Sequence, residues 1–325
     1  MSLEKAAACV RRHKSFLIVS HTNPEGDSLG SQLAFAALLR KLGKAALIVN
    51  EDRVPQEYNF LPDKEEITRY KRSLKPGQGP DCFVVLDCAD LKRCGQARKL
   101  IRPGAVVLNI DHHISNKGFG NVNWVDHRAS SCSEMVYRLY KKFKAPVAKD
   151  AALELYAGIM SDTGSFRYSN TTALSHRIAA ELLKSGIDVP AVFRAVYGNI
   201  PFEDMKLLGS VLPRIKLEEG GRVAWFQVTR GILRKKSASF DLAEHILSFA
   251  RSVKGVEVCV LFKENLSRKN EVRVNFRSQG AVDVNKIAAH FAGGGHKTAA
   301  GCTIRGNPAG ARRQVLAYIR ESLSA

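Results

Sequence analysis

The chain has 325 residues, of which 45% are hydrophobic and 25% are charged, and its formal net charge is +19 at pH 7. This length and composition favour a soluble globular protein with two domains. No apolar stretch reaches the roughly 18 to 20 residues that a membrane span needs, and the N-terminal segment lacks the apolar core of a signal peptide. We therefore expect a cytoplasmic protein with no membrane partner. The excess of Lys and Arg favours an anionic partner, with nucleic acid or nucleotide first.

The cysteines argue against two kinds of small stabilised fold. They are odd in number, scattered along the chain and never spaced as CxxC, which disfavours both a disulfide framework and a zinc ribbon. We interpret most of them as buried small hydrophobic residues. The seven are Cys9, Cys82, Cys88, Cys94, Cys132, Cys259 and Cys302.

The first half of the chain alternates short apolar runs with amphipathic stretches. This alternation predicts parallel strands joined by crossover helices, and thus an α/β sheet with helices on both faces. The predicted strands are 16–20, 45–49, 82–86 and 105–110, the first helix covers 29–42, and helical patterns dominate 133–197.

The second half has a different pattern, with strands and helices that suit a smaller mixed α/β domain. Predicted strands cover 223–228, 256–262 and 271–276, and predicted helices cover 242–250, 284–290 and 309–323. A glycine loop follows the second of these helices. We place a first domain at 1–190, a helical linker at 191–213 and a second domain at 214–325.

Polar side chains follow several apolar runs of the first half, where a parallel sheet gathers them at one edge. Taken singly, an aspartate after a strand is more often a cap or a turn residue than a ligand. Taken together, so many buried carboxylates would be costly without cations, and the set therefore predicts bound metal. The four groups are His21 with Glu25 and Asp27, then Asp87, then Asp111 with His112 and His113, and finally Asp162.

The ligand types narrow the choice of metal and reaction. Carboxylates and imidazoles without thiolates suit manganese best, with magnesium and cobalt open as alternatives. Two such ions about 3.5 to 4 Å apart can activate water and stabilise the leaving oxygen of an in-line displacement. The simplest reaction for this site is the hydrolysis of a phosphoester.

The order of these motifs resembles the DHH phosphoesterases, whose name is the motif Asp111-His112-His113. The resemblance extends to the second half through Asn275-Phe-Arg277-Ser278 and Gly293–Gly301, which look like the DHH-associated substrate-binding domain. The segment 158–172 resembles the branch of the family that combines oligoribonuclease and 3′-phosphoadenosine 5′-phosphate (pAp) phosphatase activities. One residue departs from the family pattern, because Glu25 stands where the family usually has aspartate.

The resemblance implies a role for each matching residue. His21, Glu25 and Asp87 would hold one manganese ion. Asp27, Asp87, His112 and Asp162 would hold the second, so that Asp87 bridges the two. Asp111 would orient the ligands, and His113 would face the scissile phosphate.

The glycine loop of the second half predicts phosphate recognition. Glycines allow positive φ and a close backbone approach to a phosphate, and a guanidinium grips phosphate in a bidentate way. If the two domains face each other, the cleft between them would limit the substrate to short ligands. The predicted substrate-binding residues are Arg277, Ser278, Gly293, Gly294, Gly295, His296 and Lys297.

The sequence thus predicts manganese-dependent hydrolysis of very short single-stranded RNA to mononucleotides, with pAp as a second substrate. A phosphodiesterase for linear or cyclic dinucleotides, of the pApA or c-di-AMP type, is the alternative within the same chemistry. The alternative outside enzymes is an RNA-binding protein whose metal site is degenerate at Glu25 and which does not hydrolyse its ligand. Whether the protein forms a homodimer stays open.

Overall fold

The computed structural model describes residues 2–71, 80–235 and 242–324, and the chain divides into two compact units between Asn199 and Ile200. The domain and linker bounds predicted from the sequence stay a prediction. Some of the basic residues that contribute to the net positive charge, among them Arg72, Lys75 and Lys236, lie outside the described residues. No helix in the described part of the chain is long and apolar enough to span a membrane.

The first unit contains a six-stranded, fully parallel sheet with the strand order β3-β2-β1-β4-β5-β6. The strands β1 and β4 are uncharged runs, and their alternate side chains enter two separate cores, as expected for a sheet that is buried on both faces. The α/β class predicted from the sequence is therefore confirmed. The strands are β1 (Ser15–Val19), β2 (Ala45–Asn50), β3 (Ile67–Arg69), β4 (Cys82–Leu86), β5 (Val106–Asp111) and β6 (Val122–Val125).

Helices contribute the side chains that complete both cores. The larger core joins one face of the sheet to the buried sides of helices α1 to α5, while the smaller core lies under the 3-10 helical segment Leu91–Leu100. The helices are α1 (Leu3–Arg12), α2 (Gly26–Lys41), α3 (Cys132–Lys142), α4 (Lys149–Asp162), α5 (Ala173–Leu183) and α6 (Val189–Tyr197).

Several elements differ from the prediction. The strands β3 and β6 were not predicted because each has only three or four residues and little apolar pattern. Helix α1 was also missed, although it buries one amphipathic face. Helix α2 begins at Gly26 rather than near Ser28, because the Ser28 hydroxyl accepts the Glu25 N–H at 2.9 Å and caps the helix there.

The second unit contains a separate six-stranded mixed sheet with the order β11-β12-β10-β9-β8-β7. Only the pair β8 and β9 is parallel, and the remaining neighbours are antiparallel. This agrees with the predicted mixed sheet. The strands are β7 (Lys216–Glu218), β8 (Val223–Val228), β9 (Val258–Glu264), β10 (Glu271–Ser278), β11 (Gly294–Gly295) and β12 (Ala299–Arg305), and the helices are α7 (Phe202–Val211), α8 (Arg230–Leu233), α9 (Leu242–Arg251), α10 (Val284–His290) and α11 (Pro308–Ser324).

All seven cysteines are free thiols, and all are buried. This confirms the interpretation that they fill the interior rather than form a disulfide framework. Two pairs lie close together, Cys9 with Cys82 and Cys88 with Cys94.

Candidate metal centre and recognition loop

Three neighbouring strands of the first sheet deliver the central polar residues to one edge. Asp87 directly follows β4, and Asp111 is the last residue of β5. His21 follows β1 by two residues. Because β1, β4 and β5 are adjacent and parallel, their carboxyl ends lie side by side. The residues predicted from separate motifs therefore meet.

Asp87 lies at the centre of this group. Its Oδ2 atom is 3.5 Å from His21 Nε2, and its Oδ1 atom is 3.5 Å from His112 Nε2 and 3.7 Å from His113 Nδ1. Asp87 has a φ of 53°, in the left-handed region that aspartate tolerates better than most residues. Such strained conformations persist at sites where the surroundings enforce them.

Two further carboxylates come from helices rather than strands. Asp27, in the first turn of α2, accepts backbone N–H bonds from Cys132 at 2.6 Å and Ser133 at 2.8 Å, at the start of α3. Its Oδ2 atom is 3.9 Å from His112 Nε2. Asp162 ends α4, and its Oδ2 atom is 3.6 Å from the same nitrogen.

Close packing of α2 against α4 makes this convergence possible. A Cβ atom on Gly30 would collide with the backbone oxygen of Glu154. A Cβ atom on Gly158 would collide with the Ser133 side chain and would lie 3.0 Å from Asp27 Oδ1. Glycine at these two positions therefore lets the helices approach closely enough to bring Asp27 and Asp162 to His112.

Backbone oxygens and carboxylates orient the imidazoles. His21 Nδ1 lies 2.8 Å from the Thr22 carbonyl, and His112 Nδ1 lies 3.2 Å from the Ala129 carbonyl. A carbonyl only accepts, so each Nδ1 carries the proton and each Nε2 is left to face the carboxylates. His113 differs, because its Nδ1 lies 2.7 Å from Asp111 Oδ1.

The burial of these groups perturbs their ionisation. Burial raises the pKa of Asp27 to about 6, with a further contribution from the negative charge of Asp87. Burial also raises the pKa of Asp162 well above its usual range. Burial opposes the charged form of His21, but its hydrogen bond to Asp87 and the charge of Asp87 raise the pKa of His21 to about 9. Burial likewise opposes the charged form of Asp87, but its hydrogen bonds to His112 and His21 hold the pKa of Asp87 well below its usual range. The carboxylates thus need positive charge beside them, from protonated imidazoles or from a metal cation.

The donor set fits a hard or borderline divalent cation. His112 Nε2 faces oxygens of three carboxylates within 3.9 Å. Burial opposes the charged form of His112, but the charges of Asp162, Asp87 and Asp27 raise its pKa well above the usual range, so this position favours a positive charge, either a proton or a metal cation. Ligand atoms of Asp27, Asp87 and His112 lie within 4.8 Å of one another, and so do those of Asp87, Asp111 and His113. Oxygen and imidazole donors of this kind suit manganese, magnesium and cobalt.

Glu25 is placed differently from the other predicted ligands. It is the N-cap residue of α2 and is exposed, and it belongs to neither of these two clusters. Its charge nevertheless contributes to raising the pKa of Asp162, so the side chain lies near the metal centre. The structure therefore brings five predicted ligands together and leaves Glu25 at their margin.

Two asparagines complete the site and were not predicted from the sequence. Asn116 Nδ2 donates to Asp111 Oδ2 at 2.6 Å, so Asp111 is held from one side by Asn116 and from the other by His113. Asn170 Nδ2 donates to the Asp162 backbone oxygen at 3.0 Å and contacts its Oδ2 atom at 3.2 Å. Asn170 lies within the segment 158–172 and Asn116 lies close after Asp111, so proximity to the motifs was the available signal.

The glycine loop of the second unit is built by tight backbone packing. Gly294 and Gly295 form β11 and pair with β12. Gly295 has a φ of 151°, and a Cβ atom there would collide with the Ala299 backbone oxygen. His296 N donates to Ala299 O at 2.7 Å, and the Lys297 carbonyl accepts Val284 N–H at 2.9 Å. A Cβ atom on Gly293 would likewise collide with the Gly301 backbone oxygen, so the loop's own conformation requires glycine at 293 and 295.

The predicted substrate-binding residues on β10 have distinct surroundings. Arg277 pairs with Glu244, with 2.5 Å between Nη2 and Oε2, and it also donates to the Phe276 carbonyl at 2.9 Å. Ser278 is buried and donates to Val282 O at 2.7 Å, next to Lys297 O at 3.4 Å. Ser278 thus supports the loop from beneath.

Comparison with known proteins agrees with this arrangement. The model described as "DHH family, N-terminal domain" matches residues 15–159, and the DHHA1 domain model matches residues 222–325. The "Bifunctional oligoribonuclease and PAP phosphatase NrnA" of Thermus thermophilus is 32% identical, over 94% of this chain and 90% of the relative. The protein of the same name from Bacillus subtilis is 30% identical, over 90% of each chain.

A solved structure supports the fold over the whole length. The exopolyphosphatase-related protein from Bacteroides fragilis superposes with a TM-score of 0.87 at 25% identity, and the match covers 100% of this chain and 98% of that chain. The two domain matches and the relatives support the same family assignment. The buried cluster that contains the Asp-His-His motif agrees with it. The chain therefore belongs to the DHH family of phosphoesterases and is a hydrolase.

Proposed function

We propose that this protein hydrolyses very short oligoribonucleotides to mononucleotides in a manganese-dependent reaction, and that it also hydrolyses pAp. One observation carries the proposal: Asp87 belongs to two adjacent ligand clusters at the carboxyl edge of the first sheet. A carboxylate in that position suits a bridge between two metal ions. The names of the relatives that span about 90% of the chain support the choice of substrates.

The ligands divide into two sets around Asp87. His21, Asp87 and Glu25 would hold one ion, and Asp27, Asp87, His112 and Asp162 would hold the other. Ions bound there would neutralise phosphate oxygens, lower the pKa of a coordinated water and stabilise the leaving oxygen. Existing hydrogen bonds hold these ligands in position. Backbone N–H groups at the start of α3 donate to Asp27, and backbone carbonyl oxygens orient His21 and His112.

His113 has a separate task in this proposal. Asp111 accepts the Nδ1–H bond of His113 at 2.7 Å, and Asn116 holds the other oxygen of Asp111. This chain of hydrogen bonds fixes the imidazole plane. The other ring nitrogen of His113, Nε2, would then face the scissile phosphate and assist the leaving oxygen.

The second unit supplies recognition. The guanidinium of Arg277 would bind a phosphate, because a planar cation suits that ligand. The glycines would let the loop backbone approach the phosphate closely, although the N–H groups of Gly293 and His296 already donate to Ala288 O and Ala299 O. His296 and Lys297 add polar side chains at the same loop. The net charge of +19 helps to attract an anionic substrate.

The test is the initial rate of mononucleotide release from a 5′-labelled RNA dimer with manganese, compared with chelator, with magnesium and with pAp. Rapid release that requires manganese supports the proposal. A linear pApA substrate is included, and a much higher rate on it than on other RNA dimers would favour the dinucleotide phosphodiesterase instead. Binding of the dimer without turnover under every metal condition would contradict the catalytic proposal.

A further inference from the structure

A cluster of thiols and imidazole lies at the opposite edge of the same sheet from the catalytic residues. Cys82 is the first residue of β4, and Cys9 lies in α1, which His13 ends as its C-cap. The neighbouring strands β1 and β4 thus carry His13 and Cys82 at their amino ends and His21 and Asp87 at their carboxyl ends. Five-residue strands separate the two edges by roughly 17 Å, so the cluster is independent of the catalytic centre.

The distances between the ligand atoms match a tetrahedral metal site. Cys9 Sγ lies 3.9 Å from Cys82 Sγ and 3.6 Å from His13 Nδ1, and the three atoms all lie within 4.8 Å of one another. Zinc bound at about 2.3 Å to sulfur and about 2.0 to 2.1 Å to nitrogen would place two sulfurs about 3.8 Å apart and sulfur and nitrogen about 3.6 Å apart. The two distances from Cys9 Sγ are already close to these values, and the ligand atoms of Cys82 and His13 lie within 4.8 Å of each other.

We propose that Cys9, His13 and Cys82 form a second metal site, which binds a soft or borderline cation such as Zn²⁺. Thiolate and imidazole ligands select such cations, whereas the carboxylate-rich catalytic centre selects harder ones. Among the described residues, this is the one candidate ligand group that combines cysteine with histidine. Three protein ligands leave a fourth position for water or an outside ligand.

The surroundings of the cluster permit binding without a large rearrangement. His13 Nδ1 lies 2.9 Å from the Cys9 carbonyl, which also accepts the backbone N–H of His13 at 3.3 Å. If the imidazole proton moves to Nε2, Nδ1 can bind the cation and the carbonyl keeps its backbone partner. The hydrogen bond between the two thiols lowers the pKa of Cys9 to about 7 and, together with burial, raises the pKa of Cys82 well above its usual range. Binding of the cation must therefore release the proton of Cys82.

The position of the site between α1 and the sheet suits a structural role. Cys9 and Cys82 are buried, while His13 is partly exposed and provides access from solvent. A cation held by all three would fasten the end of α1 to the sheet. A ligand that binds the folded form alone raises the midpoint of thermal unfolding, and zinc should therefore stabilise the first unit.

The experiment uses the full-length reduced protein with Co²⁺ as a spectroscopic probe. Sulfur ligands produce a near-ultraviolet charge-transfer band on Co²⁺, and the oxygen and nitrogen ligands of the catalytic centre do not. We expect the band in the wild-type protein and in Asp87→Asn, and its loss in Cys82→Ser. Cys259→Ser is the matched control, because it removes another buried thiol from the second unit and should keep the band.

Because Cys82 is buried and its replacement could impair folding, a second variant changes the partly exposed ligand His13. His13→Ala should keep the circular dichroism spectrum, lower zinc affinity at the thiol site at least about tenfold and reduce the zinc-dependent rise in unfolding temperature. Hydrolysis of the RNA dimer should stay unchanged in this variant. Absence of the band in wild-type protein, or a band of equal intensity in a folded Cys82→Ser variant, would overturn the proposal.

Discussion

The Oδ1 atom of Asp87 lies 3.5 Å from the Nε2 atom of His112, and the same carboxylate also reaches His21 through its other oxygen. Asp87 is therefore the residue through which all the strand-derived ligands are connected. Its removal should have a larger effect than the removal of any ligand at the margin of the centre.

Asp87→Ala should abolish hydrolysis of the RNA dimer, with a loss of at least about 1,000-fold, because it takes a ligand from both proposed ions. Manganese content should fall with activity, which inductively coupled plasma mass spectrometry can measure on the same sample. Asp90→Asn is the control, since Asp90 is nearby and exposed and its side chain accepts the Lys92 N–H. An Asp87→Ala variant that retains two ions and full activity would refute the bridging assignment.

Asp111→Asn should lower kcat about 10- to 100-fold and leave metal content close to that of the wild-type protein. The neutral amide weakens the hydrogen bond that orients His113, although it keeps the shape of the carboxylate. Steady-state kinetics with metal analysis separates this effect from loss of ligands. Asn116→Ala should produce a smaller effect of the same kind, because it removes the second hydrogen bond to Asp111. Loss of metal in Asp111→Asn would instead show that Asp111 is a ligand.

Variants of Glu25, which lies at the margin of the metal centre, test whether this residue is a ligand. Glu25→Asp should preserve manganese binding and activity, because it restores the usual family residue and aspartate is also a favourable N-cap. Glu25→Gln should weaken binding of one ion about 10-fold by removing the charge. Isothermal titration with manganese measures both variants. Equal affinity in wild-type protein and Glu25→Gln would exclude Glu25 as a ligand.

Arg277→Ala should raise KM for the RNA dimer about 10-fold or more and change kcat little, since it removes a proposed contact to the substrate rather than to the reacting atoms. Arg313→Ala removes the same charge from the exposed side of α11 and serves as the control. Comparison of the two KM values tests whether position or net charge is responsible. Identical shifts in both variants would indicate a general charge effect.

Glu154 provides a pH-dependent prediction outside the metal ligands. Both of its carboxyl oxygens are buried without a hydrogen-bond partner among the described residues, and burial, with the charges of Asp63 and Asp150, raises the pKa of Glu154 to about 9. The unfolded carboxyl titrates near 4.5, so between these values the folded state binds the proton and the unfolded state does not. Folded stability attributable to Glu154 therefore falls as pH rises through this window.

Glu154→Gln removes this titration and should be more stable than wild-type protein at pH 8.5, by at least about 2 to 4 °C in unfolding temperature, with a smaller gain at pH 5.5. Thermal unfolding followed by circular dichroism at both pH values measures the difference. Glu181→Gln, on the exposed surface of α5, is the control, and its change in unfolding temperature should not increase from pH 5.5 to pH 8.5. A Glu154→Gln gain that is independent of pH would contradict the assignment of a buried neutral acid.

Local sequence pattern is enough to predict which polar residues gather at one edge of the sheet. Short apolar runs predict parallel strands, and because the carboxyl ends of such strands share one edge, Asp87 and Asp111 are expected to meet there. The spacing of the glycines likewise predicts a loop with unusual backbone angles. These inferences depend on periodicity and residue type, which a single sequence contains.

Packing between distant segments brings the remaining groups to that edge. The strand order places Asp87 between β1 and β5, and the close crossing of α2 and α4 at Gly30 and Gly158 carries Asp27 and Asp162 to His112. The cap formed by Ser28 starts α2 early and leaves Glu25 exposed. Cys9 and Cys82 are neighbours for the same reason, since contacts between distant segments depend on side-chain packing that no local periodicity encodes.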